Sequence, residues 1–349
     1  MLSCVEYIWL DGTQPSAQLR SKTCVMQSEA DPTQDASVLP DWGFDGSSTG
    51  QALAGNSDVL LRPVRALVDP LRQENCYIVL CETLNQDGSV HRSNTRAALQ
   101  QLLQQEAQAW QPWIGFEQEY TLFTQAQPYG WPAGGHPGPQ GPFYCGVGAG
   151  RAYGRTVAER HLQLCLQANV SIVGINAEVM PSQWEFQVGY RGIDASDEDL
   201  LTMCDHLWLA RWLLLRTGEE FGATVSFSAK PLDGDWNGAG THVNFSTHAM
   251  RHPDTGWDKL HAFTGALEKV HPEHLACYGS ELHRRLTGEH ETCHMDTFKV
   301  GESDRSASIR IPPKVVRNRC GYIEDRRPAA DCDPYQVCLR LLQTYKTIA

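Results

Sequence analysis

The chain has 349 residues, 41% hydrophobic and 20% charged, which is the composition of an ordinary globular protein and a length that suits two domains of unequal size. Its formal net charge of −12 disfavours sequence-independent binding to nucleic acid, which relies on basic surface. No apolar run is long enough to cross a membrane, and the twelve scattered cysteines contain no C-x-x-C pair, so we expect a reduced, cytoplasmic protein without a zinc finger.

The first part of the chain predicts a small β-rich domain over residues 3–88. Alternating, aromatic or β-branched stretches indicate strands at residues 6–10, 19–26 and 77–84. Between them, residues 41–58 are crowded with Gly, Ser and Asp, which predicts an ordered functional loop rather than a strand. A helix is predicted next, over residues 94–110, with a cap at Ser93 or Asn94.

From residue 113 onward, short strands alternate with long helices. Helical segments are predicted at 155–168, 197–221, 258–286 and 333–346, and the Gly- and Pro-rich stretch 130–150 predicts a loop. Because helices and strands follow one another in irregular order, residues 94–349 predict an α+β catalytic domain and not a doubly wound sheet.

Acidic residues stand inside otherwise apolar strands. In residues 112–123, Glu117 and Glu119 share one strand face because side chains two residues apart point the same way, while Phe116 and Tyr120 share the other face. Two carboxylates side by side repel each other, so this arrangement favours a cation lying over them.

A second acidic pair occurs in residues 176–189. With a hairpin turn at Pro181-Ser182, residues whose numbers sum to 363 would face each other across the two strands, which pairs Glu178 with Glu185. The opposite face, with Trp184 and Phe186, would point to the core. This pairing of like charges again favours a bridging cation.

Two further segments repeat the alternation. Residues 240–247 place His242, Asn244 and Ser246 on one face, and residues 321–328 place Tyr322, Glu324 and Arg326 on one face. Any one of these residues alone is more often a solvated glutamate or a structural histidine. Five glutamates and a histidine on four such segments favour a metal site, and hard oxygen ligands with one imidazole suit Mg²⁺ or Mn²⁺ better than zinc.

Arginines are concentrated in the last third of the chain. Arg305, Arg310 and Arg326 stand near the acidic segments, and the planar guanidinium group suits carboxylate and phosphate groups. Surface salt bridges are the alternative, which we favour for Arg284 and Arg327. The sequence lacks the G-x-x-x-x-G-K-[ST] motif, so it is not a P-loop NTPase. It predicts a metal-dependent enzyme acting on phosphate and carboxylate groups, without naming the substrate.

The chain contains eight long motifs. They are FDGSSTGQA (44–52), FEQEYTL (116–122), GGHPGPQGPFYCGVGA (134–149), NAEVMPSQWEFQVG (176–189), WNGAGTHVNFST (236–247), RRLTGEHET (284–292), SASIRIP (306–312) and GYIEDRRPAADCDPY (321–335). These motifs resemble those of the type II glutamine synthetases, and the similarity is collinear from residue 7 to the last helix. The resemblance implies an N-terminal β-grasp domain and a catalytic domain with a curved antiparallel sheet backed by helices. It also implies a homo-oligomer of two stacked pentameric rings, with active sites between neighbouring subunits.

The resemblance also implies residue roles. Glu119, Glu178 and Glu185 would hold one divalent ion, Mg²⁺ or Mn²⁺, and Glu117, His242 and Glu324 would hold another. Glutamate would contact Trp236, Asn237, Gly238, His242, Arg285, Arg305 and Arg326, and ATP would contact Trp113, Glu185, Asn244, Ser246, Arg305, Arg310 and Tyr322. Asp45 would reach in from a neighbouring subunit to bind ammonium and accept its proton. Glu291 would close the site against water, and Arg305 would stabilise the transferring phosphoryl group.

The implied activity is ATP-dependent ligation of ammonia to L-glutamate through γ-glutamyl phosphate. The chain departs from the type II pattern at Asp235 and Asp304, where Asn is usual, at Glu289, where an aromatic residue is usual, and at Pro313, where Arg is usual; residues 192–204 also form a longer connection. Two alternatives stay open: a ligase of glutamate with another amine, and a catalytically retired relative. Intact Asp45 and Glu291 favour ammonia, and the complete ligand set disfavours the retired relative.

Overall fold

The computed structural model describes residues 2–27, 30–72, 74–125, 127–132, 139–189 and 199–349. The predicted loop at 130–150 and the motif at 134–149 therefore lie partly outside the described residues, as does most of the long connection at 192–204. Within the described ranges, no helix combines the length and the apolar character that crossing a membrane requires.

A small mixed sheet forms first. In the described residues it consists of β1 (Leu2–Leu10), β2 (Leu19–Gln27), β3 (Trp42–Asp45), β4 (Asp58–Val68) and β5 (Cys76–Leu84), in the spatial order β2-β1-β5-β4-β3. Strands β1 and β5 are parallel, and the other neighbours are antiparallel. Alternate residues of β1, including Val5, Tyr7 and Trp9, are buried in a core against β3 and β4. The predicted strands at 6–10, 19–26 and 77–84 are confirmed.

Two strands of this sheet were not predicted. Residues 41–58 were expected to be a loop, but Trp42–Asp45 pairs with β4 because Phe44 alternates into the core and packs on Trp9 at 4.7 Å between ring centroids. The rest of that stretch includes a short 3-10 helix, Gly46–Thr49. Strand β4 escaped prediction because Pro63 and neighbouring arginines interrupt its alternation. A register shift after Pro63 lets the strand continue past the proline.

The second part of the chain is built on a larger sheet. Its described strands are β6 (Trp113–Thr124), β7 (Gln127–Pro128), β8 (Ile172–Ala177), β9 (Gln183–Val188), β10 (Thr224–Ser226), β11 (Thr241–Ser246), β12 (Val300–Glu302), β13 (Ile309–Ile311) and β14 (Ile323–Asp325). Their order is β12-β13-β14-β11-β6-β9-β8, with β7 and β10 also paired to β6. Neighbouring strands are antiparallel except β12 and β13.

The helices of the described residues are α1 (Thr95–Gln105), α2 (Arg155–Gln167), α3 (Leu200–Phe221), α4 (His248–Arg251), α5 (Gly256–Lys269), α6 (His271–Leu275), α7 (Leu282–Arg285), α8 (Pro313–Asn318) and α9 (Pro334–Lys346). Of these, α2 and α3 pack directly against strands of the large sheet. The apolar strand residues Phe116, Tyr120, Trp184 and Phe186 share one buried cluster with residues of α2, α3 and α9. The other face of these strands is thereby left to polar side chains. The predicted α+β class is confirmed.

The predicted helices are present with adjusted ends. Asn94 caps α1 by accepting a hydrogen bond from the backbone N–H of Ala97 at 3.1 Å, and Asp199 caps α3 in the same way. The helical region predicted at 258–286 is divided into α5, α6 and α7. Gly279 and Glu281 both have positive φ in the interval before α7, a backbone conformation that a continuous helix cannot contain.

A buried carboxylate joins the small sheet to the helices. Asp205 of α3 accepts hydrogen bonds from Arg96 Nε at 2.9 Å and from the Tyr335 hydroxyl at 2.7 Å, and it lies 3.7 Å from Nε of Arg65 in β4. The Asp205 side chain is fully buried. Among the described residues, Asp205 is the carboxylate that forms an ion pair with Arg96.

We predict that Asp205→Ala lowers the free energy of unfolding by about 3–5 kcal/mol, because it leaves a buried guanidinium without its partner. Chemical denaturation monitored by tryptophan fluorescence measures the change. Glu106→Ala is the control, since it removes a partly exposed pair with Lys346 and should cost less than about 1 kcal/mol. Equal losses in the two variants would contradict the role assigned to Asp205.

Candidate active site

Strand register brings the predicted acidic residues together on the polar face of the large sheet. In the pairing of β6 with β9, Glu119 lies directly opposite Glu185. In the pairing of β6 with β11, Glu117 lies directly opposite His242, and His242 Nδ1 is 3.3 Å from Glu117 Oε2. Glu117 and His242, 125 positions apart in the sequence, thus become neighbours.

The polar strip continues across β14 and β13. Glu324 lies opposite Asn244 on one side and opposite Arg310 on the other. Arg310 and Arg326 both donate hydrogen bonds to the buried carboxylate of Glu324. Asn244 Nδ2 donates to Glu117 Oε1 at 2.8 Å. The strip therefore changes from carboxylates in its centre to arginines at one end.

The predicted hairpin register between β8 and β9 is wrong. The turn lies at Pro181-Ser182 as expected. However, the N–H of Gln183 donates to the Met180 carbonyl, whereas the Gln183 carbonyl accepts from the N–H of Glu178, so the pairing shifts by two residues. Glu178 therefore faces Gln183, and Glu185 faces Asn176. A shift by an even number keeps every side chain on its face, so Glu178 and Glu185 still share the polar face without being direct partners.

The described residues contain two groups of three whose ligand atoms all lie within 4.8 Å of one another. They are Glu117, His242 and Glu324, and Glu119, Glu185 and His242. The first is the predicted set. In the second, His242 stands where Glu178 was expected. Glu178 instead accepts hydrogen bonds from Asn176 Nδ2 at 2.9 Å and from the N–H of Val179 at 3.3 Å, and it lines the same cavity.

The electrostatics of these groups fit divalent cations. Burial, followed by repulsion from Glu119, raises the pKa of Glu178; burial, followed by repulsion from Glu117, raises the pKa of Glu185. Burial, with a smaller contribution from Arg326, lowers the pKa of His242 to about 3. Its imidazole is therefore neutral at physiological pH, as a metal ligand must be. An oxygen-rich set with one imidazole matches hard cations such as Mg²⁺.

A cavity of about 460 Å³ is lined by Glu117, Glu119, Glu185 and His242 of these groups, whereas Glu324 is not among its lining residues. Its other lining residues include Asn237, Gly238, Arg285, Glu291, Arg305 and Arg326, all predicted as site residues. Arg285 is buried beneath it: Nη1 donates to the Arg326 carbonyl at 3.0 Å, and Nη2 lies 3.3 Å from His242 Nε2. Glycine is required at Gly240, because an added Cβ would lie 2.2 Å from Arg285 Nη2.

A second cavity, of about 350 Å³, adjoins the first and shares Glu117 and Gln187 with it. The predicted residues Trp113, Asn244, Ser246 and Tyr322 line it, together with apolar residues of β6 and β9. The Arg251 guanidinium lies 3.6 Å from the centroid of a Trp113 ring and donates to Ser246 Oγ at 3.0 Å. This cavity suits a flat aromatic ring attached to a polar group.

Some predicted residues lie outside both cavities as defined by the described residues of this chain. Asp45 is exposed at the end of β3, where hydrogen bonds from Ser47 and Ser48 lower its pKa. Trp236 packs against Trp131, with ring centroids 5.3 Å apart. Arg310 is connected to the site through Glu324, to which it donates a hydrogen bond.

Several lining residues were missed by sequence reasoning. Tyr144, Asn176, Gln187, His290 and Thr292 line the first cavity, and Arg251 lines the second. Strand parity could have found Asn176 and Gln187, because each lies two residues from a predicted glutamate on the same strand face. Arg251 lies in the short helix α4, where no alternation marks it.

Of the positions that depart from the type II pattern, Asp304 and Pro313 have a local explanation. Asp304 accepts hydrogen bonds from Lys299 Nζ at 2.6 Å and from the N–H of Ser306 at 2.8 Å, which lowers its pKa to about 2. Pro313 is the first residue of α8, where the missing N–H costs no helical hydrogen bond. Both substitutions therefore fit the local backbone around Arg305 and β13.

The turn that carries Glu291 is strained. The Thr292 N–H donates to the Glu289 carbonyl at 3.1 Å, and the two residues between them, His290 and Glu291, have φ of 52° and 60°. Turns with two positive φ values normally use Asn and Gly, and other residues there cost on the order of 1–3 kcal/mol each. The surrounding contacts must hold this turn, including the bond from Thr292 Oγ1 to the Arg285 carbonyl.

We predict that the metal-free protein loses stability as the pH rises above neutrality. The folded-state pKa values of Glu178 and Glu185 are raised, so in this range these two carboxyl groups bind more protons in the folded state than in the unfolded chain. Below about pH 6.5, buried histidines with lowered pKa values, including His242, act in the opposite direction. A divalent cation removes this penalty and should stabilise more at higher pH. Thermal unfolding with Mg²⁺ and with EDTA, at a series of pH values, measures both effects.

Glu185→Gln provides the comparison, because it removes one of the two titrating groups and should flatten the pH dependence of the metal-free protein. A Mg²⁺-induced shift in melting temperature that is the same at all pH values would contradict this electrostatic account.

Comparison with known proteins agrees with this geometry. Residues 1–86 match the family described as the glutamine synthetase β-grasp domain, and residues 91–343 match the glutamine synthetase catalytic domain. A solved structure of glutamine synthetase from Plasmodium falciparum shares the fold, with a TM-score of 0.77 at 18% identity over 99% of this chain and 72% of that one.

Curated relatives are similar over nearly the whole chain. The chain is 51% identical to a glutamine synthetase of Amanita muscaria, covering 97% of this chain and 92% of that one. It is 50% identical to the chloroplastic glutamine synthetase of Chlamydomonas reinhardtii, with coverage of 97% and 89%, and 50% identical to a Streptomyces hygroscopicus glutamine synthetase, with coverage of 97% and 95%. The chain therefore belongs to the glutamine synthetase family of glutamate–ammonia ligases, with a similarity consistent with type II.

Proposed function

We propose that this chain uses ATP to ligate ammonia to the side-chain carboxylate of L-glutamate, through γ-glutamyl phosphate, giving L-glutamine, ADP and phosphate. The observation that best supports this reaction is that two cavities with different linings adjoin each other. One is lined by carboxylates and arginines, the other is largely apolar, and both include Glu117 and Gln187. A nucleotide in the second cavity would direct its phosphates into the first.

Two divalent ions, Mg²⁺ or Mn²⁺, would be held by the carboxylates and His242. We assign Glu117, His242 and Glu324 to one ion and Glu119 and Glu185 to the other, with Glu178 within reach in the same cavity. When bound, such ions neutralise the carboxylates and stabilise the charge of the transferring phosphoryl group. The neutral His242 imidazole leaves one ring nitrogen lone pair for this role.

The nucleotide would be held at the apolar end of the site. Trp113 and Tyr322 would bracket the base, and Asn244 and Ser246 would supply polar contacts. Arg310 is held by Glu324 and would act on the phosphates from that side. Glu185 would contribute through the ion that it shares with the nucleotide.

Glutamate would lie at the arginine-rich end. Arg326 and the deeply buried Arg285 would attract the α-carboxylate of glutamate. The Asn237–Gly238 segment, supported by Trp236, would fix the orientation of the bound glutamate. The Glu324 carboxylate holds the Arg326 guanidinium in place, so the glutamate site and the metal site share one support. This coupling would orient the side-chain carboxylate toward ATP.

In the first step, an oxygen of the glutamate side chain attacks the γ-phosphorus of ATP, and ADP leaves. Arg305 lines the cavity beside the carboxylate strip and would stabilise the charge on the transferring group. In the second step, the nitrogen of ammonia attacks the carbonyl carbon of the acyl phosphate, and phosphate leaves. Glu291 at the rim would keep water from the acyl phosphate.

Asp45 would act in a neighbouring subunit. It is exposed and lies outside the cavities of its own chain, as defined by the described residues, which fits a role across a subunit boundary. It would bind ammonium and accept a proton from it. We propose a ring-shaped homo-oligomer of two stacked pentamers, which mass photometry tests directly. The cytoplasmic location expected from the scattered cysteines stays a prediction.

We predict that Glu185→Ala lowers ATP-dependent glutamine formation by more than about a hundredfold, because it removes one carboxylate ligand from an ion-binding group. Assembly should be unchanged, since the side chain lines a cavity. Glu159→Ala is the control, because Glu159 is an exposed residue of α2 that pairs only with Arg155 among the described residues. Retained turnover in Glu185→Ala would contradict the metal assignment.

We predict that Asp45→Ala chiefly raises the ammonium concentration needed for half-maximal rate, with a smaller effect on the KM for glutamate. Steady-state kinetics with each substrate varied in turn measures the difference. Asp35→Ala is a matched control, because Asp35 also caps a 3-10 helix, Ala36–Val38, by accepting a hydrogen bond from a serine N–H. Unchanged ammonium kinetics in Asp45→Ala would count against its role.

The reaction itself is tested by measuring phosphate and glutamine together, from ATP, glutamate and Mg²⁺, with and without ammonium. We expect both products to rise together only when ammonium is present. Phosphate without glutamine would favour the alternative ligase that uses another amine. No product under any condition would favour the retired relative.

A further inference from the structure

Hydrogen bonds connect the Glu291 turn to the glutamate-binding segment through a residue of a third loop. The backbone N–H of Asn237 donates to Gln140 Oε1 at 2.8 Å. Gln140 Nε2 lies 3.1 Å from His290 Nδ1, and His290 Nε2 lies 3.2 Å from Asp235 Oδ1. Because Asp235 and Asn237 are two residues apart, these contacts form a closed ring.

The direction of every bond in this ring follows from its first member. A backbone N–H can only donate, so the Gln140 amide must present its oxygen to Asn237 and its nitrogen to His290. His290 Nδ1 therefore accepts, which leaves the hydrogen on Nε2 to be donated to the Asp235 carboxylate. All four groups are satisfied by a neutral imidazole in a single tautomer.

The two links to His290 differ in strength. The His290 side chain is 16% exposed, whereas that of Asp235 is 97% exposed, so solvent screens the contact between them. The link to Gln140 is better protected and also reaches Asn237, which lines the cavity beside Glu291. The imidazole is thus the point at which the strained turn is attached to the Asn237 segment, which lines the same cavity.

We propose that His290 is a positioning residue: through Gln140 it holds the strained Glu291 turn against the Asn237 segment and so keeps water out of the site. The inference rests on the proposed function, in which an acyl phosphate waits for ammonia. If water enters, its oxygen attacks the acyl phosphate and the products are glutamate and phosphate. ATP is then consumed without glutamine being formed.

The test compares phosphate and glutamine formation, with ammonium present, in the full-length protein and in His290→Ala and Gln140→Leu. We expect one phosphate per glutamine in the unaltered protein and a higher ratio in both variants. The double variant should uncouple no more than either single variant, because both break the same ring. A loss of folded enzyme alone lowers both products equally and leaves the ratio unchanged.

The control is Asp233→Asn, which alters an exposed carboxylate two residues from Asp235 that pairs with Arg284 outside the ring. Its ratio should stay at that of the unaltered protein. Asp235→Asn should have only a small effect, because the screened contact keeps an amide acceptor.

Hydrogen exchange gives a readout that does not depend on turnover. We expect amide exchange in residues 287–292 to become about 5- to 10-fold faster in His290→Ala and Gln140→Leu, as a hydrogen bond that restrains local opening is lost. Unchanged exchange in either folded variant would overturn the positioning role. Faster exchange with an unchanged product ratio would overturn the exclusion of water. Absence of glutamine from the unaltered protein would refute the proposed function instead, and exchange would still decide the role of His290.

Discussion

The site depends on one constraint: strand pairing holds carboxylates next to each other that would otherwise move apart. Glu119 and Glu185 are direct partners across β6 and β9, and their strands cannot slip by one residue without turning Phe116 and Trp184 out of the core. The free energy of burying those aromatic side chains therefore maintains the repulsion. A bound cation is the simplest means of relieving this repulsion, so the folded sheet favours metal binding even before a substrate is present.

The other features of the site follow from this strip of charge. Arg310 and Arg326 bind the carboxylate of Glu324, so the end of the carboxylate strip at Glu324 lies next to positively charged groups. This gives the cavity a gradient from cation-binding to anion-binding side chains, which suits a substrate that carries carboxylate and phosphate groups. The strained turn at His290 and Glu291 lies over the same cavity, held by contacts from two other segments.

The sequence predicted which strand face each residue lies on better than it predicted the cross-strand partner of each residue. Alternation identified Glu117, Glu119 and His242 because parity along one strand depends only on that strand. It did not predict that Glu119 pairs with Glu185, because register and strand order depend on the whole sheet, and it gave the wrong hairpin register. Strand β4 was missed because Pro63 interrupts the alternation of buried and exposed residues along it. The residue roles came from family resemblance, and His290 remained unassigned because its partners lie in distant loops.

The most direct test of this account is the number of Mn²⁺ ions that each chain binds, measured by titration with electron paramagnetic resonance detection of the free ion. The account predicts two ions per chain, with the ion assigned to Glu117, His242 and Glu324 weakened or lost in His242→Ala. One ion per chain, or undiminished binding in His242→Ala, would contradict the central claim that the carboxylate strip is a two-metal site.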